Sequence, residues 1–331
     1  MAQERLVAVS YPVDGEFTSI NTDVLGDLAS LRFLSELPED ARLAAVCQAE
    51  ALIGWRLQRE LPAGALEAAP DLGFIQLLSA GVDGVDFSSI PPGITVAGNV
   101  GAYAEPIAEH VMAMTLSLAK HLPTEHAALA SGRFDRDVTS RTLHGAVCAI
   151  VGFGGIGQAT GRLMRAFGAR IHAVNSSGRT TEPVEWAGTL ADLDQVLAAA
   201  DVLVIAIPLT SGTRGLIGQR ELGLMKPDAI LVNVARGAIV DEQALFEHLR
   251  ANPRFSAAID AWWHEPAEGA QFRTGYPFFE LPNLLGSPHD SGNVAGIGQF
   301  AARRAAGNAR RFLLGERVTG IADRADYAGL R

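Results

Sequence analysis

Three glycines spaced along a short loop are the residues of this chain whose spacing most clearly predicts chemistry. They are Gly152, Gly154 and Gly157, and they separate an apolar run that begins at Ala146 from an amphipathic run over residues 158–167. A strand, a Gly-x-Gly-x-x-Gly turn and a helix favour a dinucleotide, because the missing side chains allow a tight turn and a close approach to a pyrophosphate. We therefore expect this loop, at a helix N-terminus that attracts anions, to bind a nicotinamide or flavin dinucleotide.

Arg236 comes two residues after the end of the apolar run 229–234, which predicts a strand. In an open parallel sheet, ligands bind beyond the carboxyl ends of the strands. A guanidinium there can bind a carboxylate through two hydrogen bonds and polarise a neighbouring carbonyl oxygen. The pattern favours Arg236 as an anion anchor, and the alternative is a surface arginine that caps the C-terminus of a helix.

An acid and a histidine follow two further predicted strands, at Glu265 and His289. Reduction of a ketone needs a proton for the developing alkoxide, and histidine is suited to deliver it near neutral pH. A carboxylate beside the ring favours the imidazolium and holds its tautomer. His264 is a rival, but its side chain and that of Glu265 point apart in regular backbone. We therefore expect Arg236, Glu265 and His289 to form one cluster.

The segment after the strand that follows the glycine loop bears on the choice of cofactor. An NAD-selective site normally has an acidic residue there, about 20 residues after the glycines, to bind the ribose 2′-hydroxyl. Residues 175–181 include no acid. Their amide, hydroxyl and guanidinium groups can donate to a 2′-phosphate, and the candidates are Asn175, Ser176, Ser177 and Arg179. We expect NADP(H) to be favoured over NAD(H), which stays possible; the alternative is a plain polar turn.

Small residues at the end of an earlier predicted strand suggest a place for the substrate carboxylate. Ser79, Ala80 and Gly81 follow the run 74–78, and successive backbone N–H groups in such a turn form an anion-binding concavity. Tyr103 follows the next strand. We expect these four residues to contact the substrate, and the alternative is an ordinary turn with solvated acids.

Length and charge narrow the possible functions. The chain has 331 residues, enough for about two domains, and a formal net charge of −10. Binding to nucleic acid or to an anionic membrane needs clustered Lys and Arg, so neither partner is expected. No apolar run of about 18 residues and no basic leader followed by an apolar core is found. We expect a soluble, cytoplasmic protein, and no metal site is predicted.

Short apolar runs alternate with helical patterns along the whole chain, which predicts parallel sheets with helices on both faces. The predicted strands form two series, at 6–10, 51–54, 74–78 and 94–97, then from 146 and at 170–174, 201–207, 229–234, 257–259 and 284–286. Residues 105–122 predict a long helix and residues 297–314 a helix that returns to the first series. Residues 123–145 are more polar and lack strong periodicity, which predicts an arm or loop. The fold class is therefore α/β with two doubly wound units.

Taken together, these residues resemble the D-isomer-specific 2-hydroxyacid dehydrogenase family, which includes glyoxylate and hydroxypyruvate reductases. The resemblance covers nearly the whole chain. Its motifs are Val151-Gly152-Phe153-Gly154-Gly155-Ile156-Gly157, Pro208-Leu209-Thr210 with Thr213-Arg214-Gly215-Leu216-Ile217, Asn233-Val234-Ala235-Arg236-Gly237, Asp260 through Glu265-Pro266, and Ser287-Pro288-His289.

The resemblance implies roles for individual residues. Arg236 would bind the substrate's carboxylate and carbonyl, and Glu265 would pair with His289, the acid/base residue. Asp260 would contact the nicotinamide carboxamide. The other implied cofactor contacts are Gly152, Gly154, Gly155, Ile156, Gly157, Ile207, Pro208, Thr213, Val234, Ala235 and His289. Arg236 and His289 are also the implied substrate contacts, and the reaction would reduce a small 2-keto acid of the glyoxylate or hydroxypyruvate type to a D-2-hydroxy acid.

The resemblance also implies a domain arrangement. A Rossmann NAD(P)-binding domain at 101–287 would be inserted in a flavodoxin-like substrate domain, formed by 1–100 and 288–331. A homodimer would form through the cofactor domain, giving the 105–122 helix and the 123–145 arm a role. Because no further domain follows residue 331, a feedback-regulated phosphoglycerate enzyme is not expected.

Two departures from the family pattern bear on the site. Ala206 stands where many members have a histidine, so the adenine side is predicted to be more apolar, and Trp262 and Trp263 predict a bulky wall. Two alternative functions stay open at this point. One is a dinucleotide-sensing protein of the co-repressor type, and the other is a phosphite dehydrogenase, which would need more cationic charge than residues 78–84 carry.

Overall fold

A computed structural model of the chain describes residues 5–267 and 269–329. The described chain forms two compact units. One comprises the chain up to Tyr103 together with the chain from Val294 onwards, and the other extends from Ala104 to Asn293. Residues 1–4, on which the expectation of no leader segment depends in part, lie outside the described residues, as do the last two residues of the predicted 288–331 segment.

Within the described residues, twelve strands form two sheets whose neighbouring strands are all parallel. The first sheet contains β1 (Leu6–Val9), β2 (Ser30–Phe33), β3 (Ala51–Gly54), β4 (Phe74–Leu77) and β5 (Thr95–Ala97), in the order β2-β1-β3-β4-β5. The second contains β6 (Val147–Val151), β7 (Arg170–Val174), β8 (Trp186–Gly188), β9 (Val202–Ile205), β10 (Ile230–Asn233), β11 (Ser256–Ile259) and β12 (Leu284–Gly286). Its order, β12-β11-β10-β9-β6-β7-β8, is that of a Rossmann sheet, and the first has the flavodoxin order. The predicted fold class is confirmed.

Ten helices, counted over the part of the chain that is described, cover these sheets. They are α1 (Gly15–Leu25), α2 (Glu39–Cys47), α3 (Leu57–Glu60), α4 (Ala104–Ala119), α5 (Leu122–Ala130), α6 (Gly155–Ala166), α7 (Leu193–Ala199), α8 (Gln219–Leu224), α9 (Glu242–Ala251) and α10 (Ile297–Leu313). The helix α10 packs on α1 and on β3 and β4 of the first sheet. No described helix has the length and apolarity needed to cross a membrane.

The prediction of an arm or loop over residues 123–145 is wrong for its first part, which belongs to α5. This helix buries none of its residues, so it lacks the apolar stripe on which recognition of a helix depends. Pro123 lies in its first turn, where a proline needs no intrahelical partner for its nitrogen. The remaining residues of the segment contain no named helix or strand.

One row of the second sheet determines where the functional loops lie. Across five strands, Val151, Ile205, Asn233, Ile259 and Gly286 are paired in register. Neighbouring strands are about 4.8 Å apart. The loops that follow these five residues therefore leave the same edge of the sheet side by side. They include the glycine loop and the segments that carry the predicted catalytic residues.

The three glycines of the first loop have different structural reasons. Gly152 has a φ of +100°, and a Cβ there would lie 2.4 Å from the backbone nitrogen of Ile207. A Cβ on Gly157 would lie 2.2 Å from the carbonyl oxygen of Gly152. The space beside Gly154 is open, with no atom within 4 Å of a Cβ. Packing within the protein therefore requires glycine at positions 152 and 157. No such packing contact requires glycine at position 154.

We expect Gly157→Ala to destabilise the protein and Gly154→Ala to leave its stability nearly unchanged. The first substitution forces backbone atoms apart, and overpacking of this kind costs about 1–3 kcal/mol. The second adds a methyl group to open space at a helix N-cap, for which we expect less than about 1 kcal/mol. Urea denaturation of both variants and the parent measures the difference, and equal midpoints for the two variants would contradict the packing argument.

Candidate active site

The glycine loop lies at the carboxyl end of β6, and Gly154 is the N-cap of α6. The N–H groups of Gly152 and Phe153 donate to the carbonyl of Val174 at 3.0 and 2.9 Å, which ties the loop to β7. No side chain of the described residues caps α6. An uncapped helix N-terminus with open space at its N-cap fits a pyrophosphate. The first residues of this helix are the predicted cofactor residues Gly155, Ile156 and Gly157.

The loop after β7 is ordered by its own side chains. Oδ1 of Asn175 accepts hydrogen bonds from the backbone N–H and the hydroxyl of Ser177, both at 3.0 Å. Nδ2 of Asn175 donates to the carbonyl of Arg179 at 2.8 Å. Ser176, Ser177 and Arg179 are all exposed. The side chains of Asn175 and Ser177 therefore shape the loop, and Ser176, Ser177 and Arg179 are accessible as donors.

The turn after β9 contains three further predicted cofactor residues. The backbone of Ile207 lies against Gly152, and Pro208 is exposed. The buried Thr213 hydroxyl donates to the carbonyl of Pro208 at 2.7 Å and accepts from the N–H of Thr210 at 2.8 Å. These bonds close the turn, so the Thr213 side chain holds its shape.

The loop after β10 carries Arg236 and is fixed from within the sheet. Asn233 is fully buried; its Oδ1 accepts from the N–H of Ala235 at 3.1 Å, and its Nδ2 donates to the carbonyl of Arg236 at 3.0 Å. Val234 and Ala235, both predicted cofactor residues, are buried. A Cβ on Gly237 would lie 2.3 Å from the backbone of Trp262, so this loop packs directly on the one that follows β11.

Glu265 and His289 form a direct pair. Nδ1 of His289 lies 2.7 Å from Oε1 of Glu265, and the same oxygen accepts from the N–H of Trp262 at 3.1 Å. Burial is the largest single influence on the Glu265 carboxyl and raises its pKa. The hydrogen bond and charge of His289, the Trp262 N–H and the charge of Arg236 together outweigh burial and hold the Glu265 pKa below its usual range. His289 and Arg236 therefore both act electrostatically on the Glu265 carboxyl.

The backbone of His289 is in the left-handed region, with a φ of +55°. For a residue with a side chain, this conformation costs about 1 kcal/mol or more. The turn is held by Asp260, whose fully buried carboxylate accepts from the Ser287 hydroxyl at 2.5 Å and from the N–H groups of Asp290 and Ser291 at 3.1 and 3.3 Å. These bonds hold residues that precede and follow His289 in the sequence.

Aromatic side chains support the same loops. Nε1 of Trp262 donates to the carbonyl of Ser287 at 2.8 Å, and Trp263 stacks on Phe278 with ring centroids 5.4 Å apart.

His264, the rival histidine, is largely exposed and lies 3.6 Å from a carboxylate oxygen of Glu242. The structure therefore brings His289, and not His264, to Glu265.

The predicted substrate contacts of the other unit form a compact turn. The hydroxyl of Ser79 donates to the carbonyl of Gly81 at 2.8 Å, and Ala80 lies between them. The hydroxyl of Tyr103 donates to the carbonyl of Leu78 at 3.1 Å, and burial raises the Tyr103 pKa. Both hydroxyls thus stabilise backbone in this unit.

Sequence reasoning missed His110, on α4. Its Nε2 lies 3.0 Å from the Ser287 hydroxyl oxygen and 3.9 Å from Oδ1 of Asp260. A signal exists in the sequence, because His110 is three residues after Ile107 and four before Met114, within an apolar stripe. His110, Asp260 and Asp290 also place potential metal ligands within 4.8 Å of one another, but the Asp260 oxygens already accept three hydrogen bonds.

Comparison with known proteins shows which family this chain is similar to. Residues 112–291 match the sequence profile described as "D-isomer specific 2-hydroxyacid dehydrogenase, NAD binding domain". The chain is 32% identical over 296 residues to D-3-phosphoglycerate dehydrogenase of Mycobacterium tuberculosis, covering 89% of this chain and 55% of that protein. It is 30% identical over 299 residues to hydroxypyruvate reductase of Thermotoga maritima, covering 89% of this chain and 94% of the reductase. The chain thus spans about half the length of the first of these relatives.

A solved structure extends the similarity to the fold. The D-isomer specific 2-hydroxyacid dehydrogenase from Xanthobacter autotrophicus, determined in complex with NADPH and MES, matches with a TM-score of 0.78 and 26% identity. The match covers 97% of this chain and 98% of that one.

We expect Glu265→Gln to lower stability at neutral pH and to lose this effect in acid. A carboxyl whose pKa is lower in the folded chain stabilises the fold above its unfolded value, usually 4.5 here, and that stability is lost as the pH falls through the folded value. Thermal unfolding of parent and variant between about pH 7 and about pH 3 measures the difference. Glu109→Gln, on the exposed side of α4, is the control. A parent advantage that persists at the acid end would contradict the pairing.

Proposed function

The chain belongs to the D-isomer specific 2-hydroxyacid dehydrogenase family, and we propose that it transfers hydride between a nicotinamide dinucleotide and a small 2-keto acid, forming a D-2-hydroxy acid. The observation that carries this proposal is the 2.7 Å pair of Glu265 and His289 within reach of the charge of Arg236. An anion anchor, a proton donor and a carboxylate that orients the donor are the groups that reduction of a 2-keto acid requires.

Arg236 binds the substrate in this proposal. Its planar guanidinium offers parallel N–H groups to the carboxylate of the keto acid, and its charge polarises the adjacent carbonyl. The buried Asn233 accepts from the N–H of Ala235 and donates to the carbonyl of Arg236, so the backbone that carries the Arg236 side chain is held in place. Precise placement of the anchor determines which carbonyl face meets the donor.

His289 supplies the proton. Its Nδ1–H is directed to Glu265, so Nε2 is the ring nitrogen that presents a proton to the carbonyl oxygen. When bound, the reduced dinucleotide supplies the hydride to the carbonyl carbon. The imidazolium of His289 then becomes neutral as the oxygen becomes a hydroxyl. Glu265 keeps its negative charge and accepts the hydrogen bond that orients the ring.

The chain has residues that fit the dinucleotide. The open position at Gly154 and the uncapped start of α6 would receive the pyrophosphate, with the backbone of Ile207, Val234 and Ala235 around the nicotinamide side. Asp260 would contact the carboxamide and would also act there through the turn that its fully buried carboxylate holds. The exposed Ser176 and Arg179, after β7, favour NADP(H).

For the substrate we favour a glyoxylate or hydroxypyruvate type of keto acid. The relative named hydroxypyruvate reductase aligns over 94% of its own length, and the proposal takes its substrate class from that similarity. Contacts of the substrate with Ser79, Ala80, Gly81 and Tyr103 are part of the proposal, with backbone N–H groups of the turn as the donors.

We also propose a homodimer that forms through the unit containing α4 and α5. Leu122, Leu129, Phe134 and Val138 expose 44–73% of their surface within a short stretch. Apolar groups concentrated in this way mark association surfaces. Sedimentation of the purified protein tests this part.

We expect His289→Ala to lower kcat on the order of 10²- to 10⁴-fold with glyoxylate or hydroxypyruvate, the range typical of a lost general acid. Arg236→Lys should raise KM for the keto acid, because a point charge does not reproduce the bidentate fork. Steady-state rates with both reduced cofactors measure these effects, and His264→Ala is the matched control. Near-normal turnover of His289→Ala would show that His289 is not the proton donor. A parent inactive on all keto acids would favour the dinucleotide-sensing alternative.

The parent should prefer NADPH to NADH, and Arg179→Ala should reduce kcat/KM for NADPH on the order of 10-fold while changing that for NADH little, as loss of a charge-assisted bond to the 2′-phosphate would do. The control is Arg165→Ala, an arginine on α6 that donates to the carbonyl of Pro183. Preference of the parent for NADH would reject the assignment. Preference for NADPH without an effect at Arg179 would transfer the contact to Ser176, Ser177 or Thr180.

A further inference from the structure

A hydrogen-bond chain connects α4 to the turn that carries His289. Nε2 of His110 lies 3.0 Å from the Ser287 hydroxyl oxygen, and this hydroxyl donates to Oδ1 of Asp260 at 2.5 Å. The imidazole is half-buried, whereas Asp260 has no exposed surface. The chain thus leads from a partly accessible helix side chain to a fully enclosed carboxylate.

The direction of this chain follows from the number of protons on each group. A serine hydroxyl has one hydrogen, and here it is directed to the Asp260 carboxylate, which can only accept. Toward His110 the Ser287 oxygen must therefore accept. Nε2 of His110 then carries a hydrogen, in either the neutral or the charged ring.

We propose that His110 is a positioning residue for His289, acting as a hydrogen-bond donor through Ser287. The bond from His110 holds the Ser287 hydroxyl oriented toward Asp260, and Asp260 in turn holds the N–H groups of Asp290 and Ser291. These contacts fix the left-handed turn at His289. The distance between His289 and Glu265 therefore depends on α4, which is remote from both residues in the sequence.

This role makes the chemical nature of residue 110 matter more than its size. Gln has an amide N–H group that can donate to Ser287, so His110→Gln should keep the chain intact. Leu has no donor, so His110→Leu leaves the Ser287 hydroxyl free to turn away from Asp260. The effect of His110 on catalysis rests on the proposed function. The first test therefore measures the hydrogen bonds of His110 and Ser287 directly and does not need turnover.

The first experiment is nitrogen-15 NMR of the parent with labelled histidine, which distinguishes a protonated from an unprotonated Nε2. The His110 signal is identified by its absence from His110→Gln. We expect Nε2 of His110 to be protonated in the parent, and Ser287→Ala to remove the fixed preference for this tautomer. A parent ring protonated at Nδ1 alone, or a tautomer unchanged in Ser287→Ala, would overturn the proposal whatever the protein's activity.

The second experiment is a double-mutant cycle on turnover of a keto acid. We expect His110→Leu to lower kcat on the order of 10-fold with little change in KM, because a misplaced proton donor slows the chemical step. His110→Gln should restore most of the rate, and His110→Leu should change kcat less than about 2-fold when Ser287 is already Ala. Glu109→Gln is the control on the same helix, and unfolding midpoints show that each variant is folded. Additive losses, or no rescue by Gln in a folded variant, would contradict the mechanism.

Discussion

The buried carboxylate of Asp260 is the interaction on which the rest of the site depends. A charge without exposed surface is stable only where hydrogen bonds replace its lost hydration. The three donors that satisfy it all come from residues 287–291, so the energetic need of one carboxylate determines the path of that turn. His289 takes its unusual backbone conformation inside this constraint, and its ring reaches Glu265 as a result.

The loops at the edge of the second sheet are also interlocked by close packing. Gly237 lies so near the backbone of Trp262 and Trp263 that no side chain fits there. The loop with the arginine and the loop with Glu265 therefore keep a fixed separation, which lets the positive charge of Arg236 act on the carboxyl group. Hydrogen bonds define the shape of each loop, and packing defines the distance between them. The proposed chemistry uses both, since it needs an anchor and a proton donor around one carbonyl.

The sequence predicts much of this arrangement, for physical reasons that differ between elements. β3 was predicted with its observed bounds because all its residues are buried and apolar, the usual pattern of a parallel strand. β2 was missed because only Phe33 of its four residues is buried. The pairing of Glu265 with His289 was implied by the family resemblance, and both residues were expected after strand ends; that the two strands are neighbours is seen only in the structure. The apolar stripe of α4 places His110 on the helix face that packs inward, but its contact with Ser287 could not be predicted, because local periodicity does not determine how α4 packs across the sheet.

β12, which precedes Ser287, is an edge strand of only three residues in the described sheet. Such a strand has a neighbour on one side only, and segments of this kind open locally at a lower free energy than a sheet interior. Detachment of this strand would carry His289 away while the central strands stay folded. Loss of activity on heating would then precede global unfolding, and amide hydrogen exchange would be faster at β12 than at β6. The fold therefore places its proposed proton donor where the working range of temperature is set by local, not global, stability.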